Sequence, residues 1–92
     1  MEYLEGESRV YVQGAQGEAI AEMTFHRVGS DIAVIEHTYV DENYRGQGIA
    51  AQLFDCVVEK MRKEKRKIVP LCSFAVKQFE LKPQYQDMLA QR

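Results

Sequence analysis

Hydrophobic positions change their period once along this chain, near residue 49. Before that point apolar and polar residues alternate. Residues 8–13 (SRVYVQ) set Val10 and Val12 against Arg9 and Tyr11. Residues 18–26 (EAIAEMTFH) set Ala19, Ala21, Met23 and Phe25 against Ile20, Glu22, Thr24 and His26. The unbroken apolar run Ile32-Ala33-Val34-Ile35 reads as a strand covered on both faces, continuing to about Val40. Gly14-Ala15-Gln16-Gly17 and Gly29-Ser30-Asp31 are turn signals, since glycine adopts positive φ without steric cost. Three strands joined by two short turns predict an antiparallel meander.

From Ile49 onward apolar residues fall at 49, 50, 53, 54, 57, 58 and 61, and Gln52, Asp55, Glu59, Arg62 and Arg66 form a polar stripe. This spacing predicts an amphipathic helix of about four turns. The basic residues between 62 and 67 suit the negative end of the helix dipole and read as a solvated helix end. Lys67 to Cys72 reads as a further strand, so the crossover predicts a parallel pair. Pro70 lacks an N–H, which places it on an edge strand or where the ladder has already opened. Ser73 is the expected N-cap of a helix over 74–81, and Pro83 begins a last short helix through Leu89. The expected fold class is α/β with a mixed sheet, in one domain spanning residues 1–92.

Composition narrows the classes. Ninety-two residues allow one modest core, and 46% hydrophobic with 28% charged residues is ordinary for a folded globular chain. Twelve Lys and Arg against fourteen Asp and Glu give a net charge of −2, so nothing favours a nucleic-acid partner. No stretch reaches the ~18 apolar residues of a membrane-spanning helix. The opening Met1-Glu2-Tyr3-Leu4-Glu5 is acidic and lacks the apolar core of a secretory signal, so a cytoplasmic location is expected. Cys56 and Cys72 fit neither a zinc spacing nor a disulfide framework; free thiols and no metal site are expected.

The segment richest in chemistry is Val40-Asp41-Glu42-Asn43-Tyr44-Arg45-Gly46-Gln47-Gly48-Ile49-Ala50, between a strand and the long helix. Glycines at such a junction let successive backbone N–H groups converge on an anion, and the helix N-terminus adds partial positive charge. A phosphate or pyrophosphate site follows on physical grounds; the other reading is a loop whose glycines only turn the chain. It is neither a P-loop nor a GxGxxG fingerprint.

Arg45-Gly46-Gln47-Gly48-Ile49-Ala50 resembles the Arg/Gln-x-x-Gly-x-Gly/Ala signature of the GNAT N-acetyltransferase superfamily. With His37-Thr38-Tyr39-Val40 before it and Pro70-Leu71-Cys72-Ser73-Phe74 and Pro83-Gln84-Tyr85 after, about residues 5–90 look like its short, roughly ninety-residue branch. The resemblance implies that acetyl-CoA is the co-substrate. Its pyrophosphate would rest on backbone amides around Arg45, Gly46, Gln47, Gly48, Ile49, Ala50 and Ala51, with Val40 at the strand end completing the site. It also implies that pantetheine lies in a gap where two parallel strands splay, bringing the thioester near Glu36–Val40 and Cys72. The two helices that usually follow the first strand have no room here, because the turns at 14–17 and 29–31 are short. Lys82 stands where this branch often carries His.

Acetyl transfer to an amine needs a base, an oxyanion donor and an acid for the departing thiolate. Glu36 and His37 are adjacent on a strand, so they are expected on opposite faces. Imidazole is the side chain suited to proton transfer near neutrality, so His37 is a candidate base or a structural histidine. Glu36 is a second candidate base or a partner to a cation. Cys72, at a strand end beside a helix N-terminus, is a candidate acyl acceptor or a small core residue. Cys56 reads as core. Tyr85 is either the acid, as the resemblance implies, or a cap on the core beside Phe79 and Met88. The leading reading is a small N-acetyltransferase acting on an unidentified amine. The alternative is a CoA-binding adaptor with little or no transferase activity.

Overall fold

The computed structural model describes residues 1–90. Strands β1 (Leu4–Glu5), β2 (Arg9–Gln13), β3 (Ala19–Val28) and β4 (Ile32–Val40) run antiparallel in sequence order. The predicted meander is present, and β1 extends it by one short strand. A 3₁₀ turn (Glu42–Tyr44) leads to α1 (Ile49–Lys63), which crosses back to β5 (Lys67–Pro70), parallel to β4. Helix α2 (Ser73–Leu81) and a 3₁₀ segment (Pro83–Met88) follow.

The period change explains the layering. Helix α1 lays Ile49, Leu53, Phe54, Val57, Val58 and Met61 across the sheet, where they bury Val10, Val12, Ala21, Met23, Phe25, Ala33 and Ile35. Phe79 of α2 meets Phe54 edge to face, with ring centroids 5.1 Å apart. The opposite face of the sheet is open to solvent and carries the Arg9–Glu22 ion pair and the His26–Glu36 hydrogen bond.

Three local expectations are corrected. Helix α1 ends at Lys63, with Lys65 left-handed at φ 61° and the Arg66 N–H closing onto the Met61 carbonyl. Arg66 therefore leaves the polar stripe. Its guanidinium donates to the carbonyls of Gly29 and Ile32 and to Glu64, so this part of the basic run braces a turn instead of lying in solvent. The cap of α2 is Cys72, whose sulfur accepts the Ala75 N–H at 3.4 Å. Ser73 is already helical. Finally, β4 holds one extra residue: its register on β3 shifts between Thr24 and Phe25. Glu36 reaches His26, while His37 stands opposite Thr24, two residues before His26. The bulge thus puts Glu36 and His37 on the same face, against the expected alternation.

Pro70 satisfies both of its expected explanations. Strand β5 is last in the sheet, and its pairing with β4 ends at Ile35↔Pro70. The Leu71 N–H donates to the Ile35 carbonyl, so the Pro70 nitrogen faces the outer edge and no ladder bond is lost. Beyond that pair β4 runs on from Glu36 to Val40 with β3 on one side and its other edge unpaired. The two parallel strands part there.

Candidate functional site

The opening between β4 and α2 is a cleft of about 500 Å³. Thr38, Tyr39 and Val40 form its strand wall, Phe74 and Gln78 its helical wall, and Tyr44 to Gly46 with Gly48 to Ala51 its floor. Register explains the strand wall: Thr38 pairs with Met23 and Val40 with Ala21, both buried beneath α1, so Thr38 and Val40 point to the helical side.

The floor is built by glycine. Gly46 and Gly48 have φ of 81° and 79°, a region costly for any residue with a Cβ. Added Cβ atoms would meet nothing within 4 Å, so the constraint is backbone conformation and not crowding. Gly48 is the N-cap of α1 and supplies no side-chain acceptor. The helix ladder begins with the Gln52 N–H on the Gly48 carbonyl, so the amides of Ile49, Ala50 and Ala51 precede the first intrahelical bond. Free amides at the positive end of a four-turn dipole are an arrangement that attracts anions. Arg45 adds the charge. Its Nε donates to the Val40 carbonyl at 3.0 Å, tying the loop to the end of β4. Among the described residues, no acidic side chain lines the cleft.

The sequence-predicted site residues divide into groups. Val40, Arg45, Gly46, Gly48, Ile49, Ala50 and Ala51 all line the cleft, whereas Gln47 does not. Cys72 is half-buried on the helical side of β4 but outside the lining, its sulfur 3.3 Å from Thr38 Oγ1 with either atom able to donate. His37 lies outside the lining, exposed on the open sheet face that Tyr39 also reaches. Glu36 is held by His26 Nδ1 at 2.8 Å. Tyr85 packs on Phe54, 5.9 Å between ring centroids, away from the lining residues. Burial, and after it the neighbouring Asp55 carboxylate, push its phenol up. Lys82 pairs with Asp55 at 2.7 Å. Burial, then Asp55 and Glu5, push the Cys56 thiol up. Among the described residues no three His, Cys, Asp or Glu side chains gather as a metal site, and no helix is long and apolar enough to cross a membrane.

Sequence reasoning gave no role to Thr38, Tyr44, Phe74 or Gln78. Phe74 and Gln78 are four apart on a predicted helix, and Thr38 and Val40 two apart on a predicted strand, so each pair was assignable to one face.

A mixed sheet whose parallel strands part beside a glycine loop and an uncapped helix start defines the acetyltransferase type of α/β fold. The sequence profile of the GCN5-related N-acetyl-transferase family matches residues 9–88, and the chain belongs to that family. A GCN5-like protein from Staphylococcus aureus is 34% identical and superposes with a TM-score of 0.80 over 99% of this chain and 89% of its own. The GNAT-family N-acetyltransferase YhbS of Escherichia coli, solved with CoA, is 25% identical, with a TM-score of 0.65 over 75% of this chain and 42% of its own. A GNAT-family acetyltransferase of Elizabethkingia anophelis with acetyl-CoA bound is 22% identical, with a TM-score of 0.62 over 84% and 51%. The chain thus spans about half the length of these last two. No curated protein matches it.

Proposed function

We propose that this protein is a small acetyl-CoA-dependent N-acetyltransferase. The observation that carries this reading is the uncapped start of α1: three free amides and Arg45 facing a cleft that runs into the gap between β4 and β5. Such a floor suits a pyrophosphate, and the gap suits an extended arm ending in a thioester. The neighbours solved with CoA and acetyl-CoA support the same cofactor.

In the direct route an amine attacks the thioester carbonyl. The new C–N bond forms, the C–S bond breaks, the amine proton passes to a base, and CoA leaves as a thiolate that takes a proton from that base or from water. An acceptor crossing the open sheet face would pass His37, the candidate base, before reaching Tyr39 at the cleft. The contact between Cys72 Sγ and Thr38 Oγ1 favours a second route, in which the Cys72 thiol takes the acetyl group first, releasing CoA, and then passes it to the amine. Neither route as written calls on Glu36, which His26 Nδ1 contacts, or on Tyr85, which packs on Phe54.

One observation favours the CoA-binding adaptor as the runner-up: no carboxylate or histidine stands among the described cleft residues. Intact-mass analysis after incubation with acetyl-CoA and a pool of amines separates the readings. Acetylated amine with free CoA supports transfer, and a gain of 42 Da on Cys72, the atom count of one acetyl group less the thiol hydrogen it replaces, supports the covalent route. Bound but unconsumed acetyl-CoA supports the adaptor, and no binding removes both.

A further inference from the structure

Gln78 is a buried polar residue, 8% exposed, and its side-chain oxygen has no hydrogen-bond partner among the described residues. It stands in the helical wall of the cleft, across from Thr38 and Val40 and beside Phe74. An unpartnered buried amide costs stability, and Leu or Met would fill the same space without that cost. An oxygen sealed into an apolar wall thus calls for a partner that arrives.

We propose that Gln78 holds the pantetheine arm of the cofactor, its carboxamide pairing with an amide of that arm. This rests on the cofactor reading above. A ligand whose pyrophosphate sits on the α1 amides must send a chain past Gln78 to reach the gap between β4 and β5. The arm of CoA carries two amides, each a donor and an acceptor. The terminal torsion of glutamine is soft, so either end of the carboxamide turns toward the cleft at little cost. On its other side the arm meets the unpaired edge of β4 from Glu36 to Val40. Gln78 therefore distinguishes a ligand that carries the arm from a nucleotide that lacks it.

The test is calorimetry on the full chain and on Gln78→Leu and Gln78→Met, with CoA and with adenosine 3′,5′-bisphosphate, which has the nucleotide but no arm. The expected result is CoA affinity roughly 3- to 10-fold weaker in both variants, with bisphosphate affinity unchanged. Thermal midpoints should stay level or rise, the opposite of what a purely structural role gives. Wild-type CoA affinity in either folded variant overturns the proposal, as does equal weakening for both ligands. Failure of both variants to fold assigns Gln78 to the core and also overturns it. If the wild-type chain does not bind CoA, the cofactor reading falls and takes this one with it. CoA binding that is unaltered by the substitutions removes Gln78 alone.

Discussion

Replacing Glu64 with Gln should destabilise the protein strongly at neutral pH and progressively less as pH falls toward 2. Glu64 closes a bidentate pair with Arg27, at 2.8 and 2.7 Å, and accepts from Arg66 at 3.0 Å. It thereby fastens the end of α1 to β3 and to the β3–β4 turn. The Arg27 guanidinium holds its carboxyl at about 2, against 4.5 in the unfolded chain. That difference, about 2.5 units, corresponds to about 3.4 kcal/mol at most. With Glu64 27% and Arg27 30% exposed, solvent screening reduces it to about 2 kcal/mol. Because the folded value is the depressed one, the stabilisation is complete above pH 4.5 and disappears as pH falls toward 2. Urea titrations of wild type and Glu64→Gln, compared between about pH 7 and pH 3, would read this directly. The expected gap near neutrality is about 2 kcal/mol, or roughly 8–15 °C in Tm for a domain of this size, narrowing steadily below about pH 5. A gap that is constant with pH would refute the ion-pair reasoning.

Gly48→Val should leave a folded chain that no longer binds CoA by calorimetry. No atom crowds the new Cβ, and the backbone strain costs roughly 1–2 kcal/mol. Unchanged affinity would remove the loop from the site. Arg45→Ala should weaken CoA binding by about 1–3 kcal/mol, with the loss shrinking as salt rises. Salt-independent, wild-type binding would contradict its electrostatic role. A mild alkylating agent should modify Cys72 well before Cys56, whose thiol burial pushes up, and CoA should protect Cys72. Equal rates, or no protection, would return Cys72 to the core.

What the sequence revealed, and what it hid, follow from the range of each interaction. Turns at glycine, the α1 stripe and the glycine loop are local signals, and residues within a few positions of one another specify them. The β4 bulge depends on how ten residues of β3 meet nine of β4, which alternation along one strand does not encode. That is why Glu36 and His37 were expected on opposite faces. Ser73 has the better capping side chain, but Cys72 is the last residue with extended backbone, at φ −82° and ψ 146°, and the cap falls where β5 releases the chain. Arg66 fits the stripe by spacing and leaves it because Lys65 turns left-handed. The cleft floor was legible at residues 45–51. The helical wall was not, because Phe74 and Gln78 matter only once α2 has docked beside the open edge of β4.

The central claim is that the amides at the start of α1 hold the phosphates of CoA. A titration of the ¹⁵N-labelled protein with CoA, followed by amide chemical shifts, tests it most directly. The account predicts that the largest shifts fall on Arg45 to Ala51, with smaller ones along Thr38 to Val40 and at Gln78. It also predicts little change at Leu4, Val12 and Ala15 in the neighbouring hollow of about 530 Å³, which shares Tyr44 with the cleft. Saturating CoA that leaves Arg45 to Ala51 unmoved, or shifts concentrated at that second hollow, would contradict it.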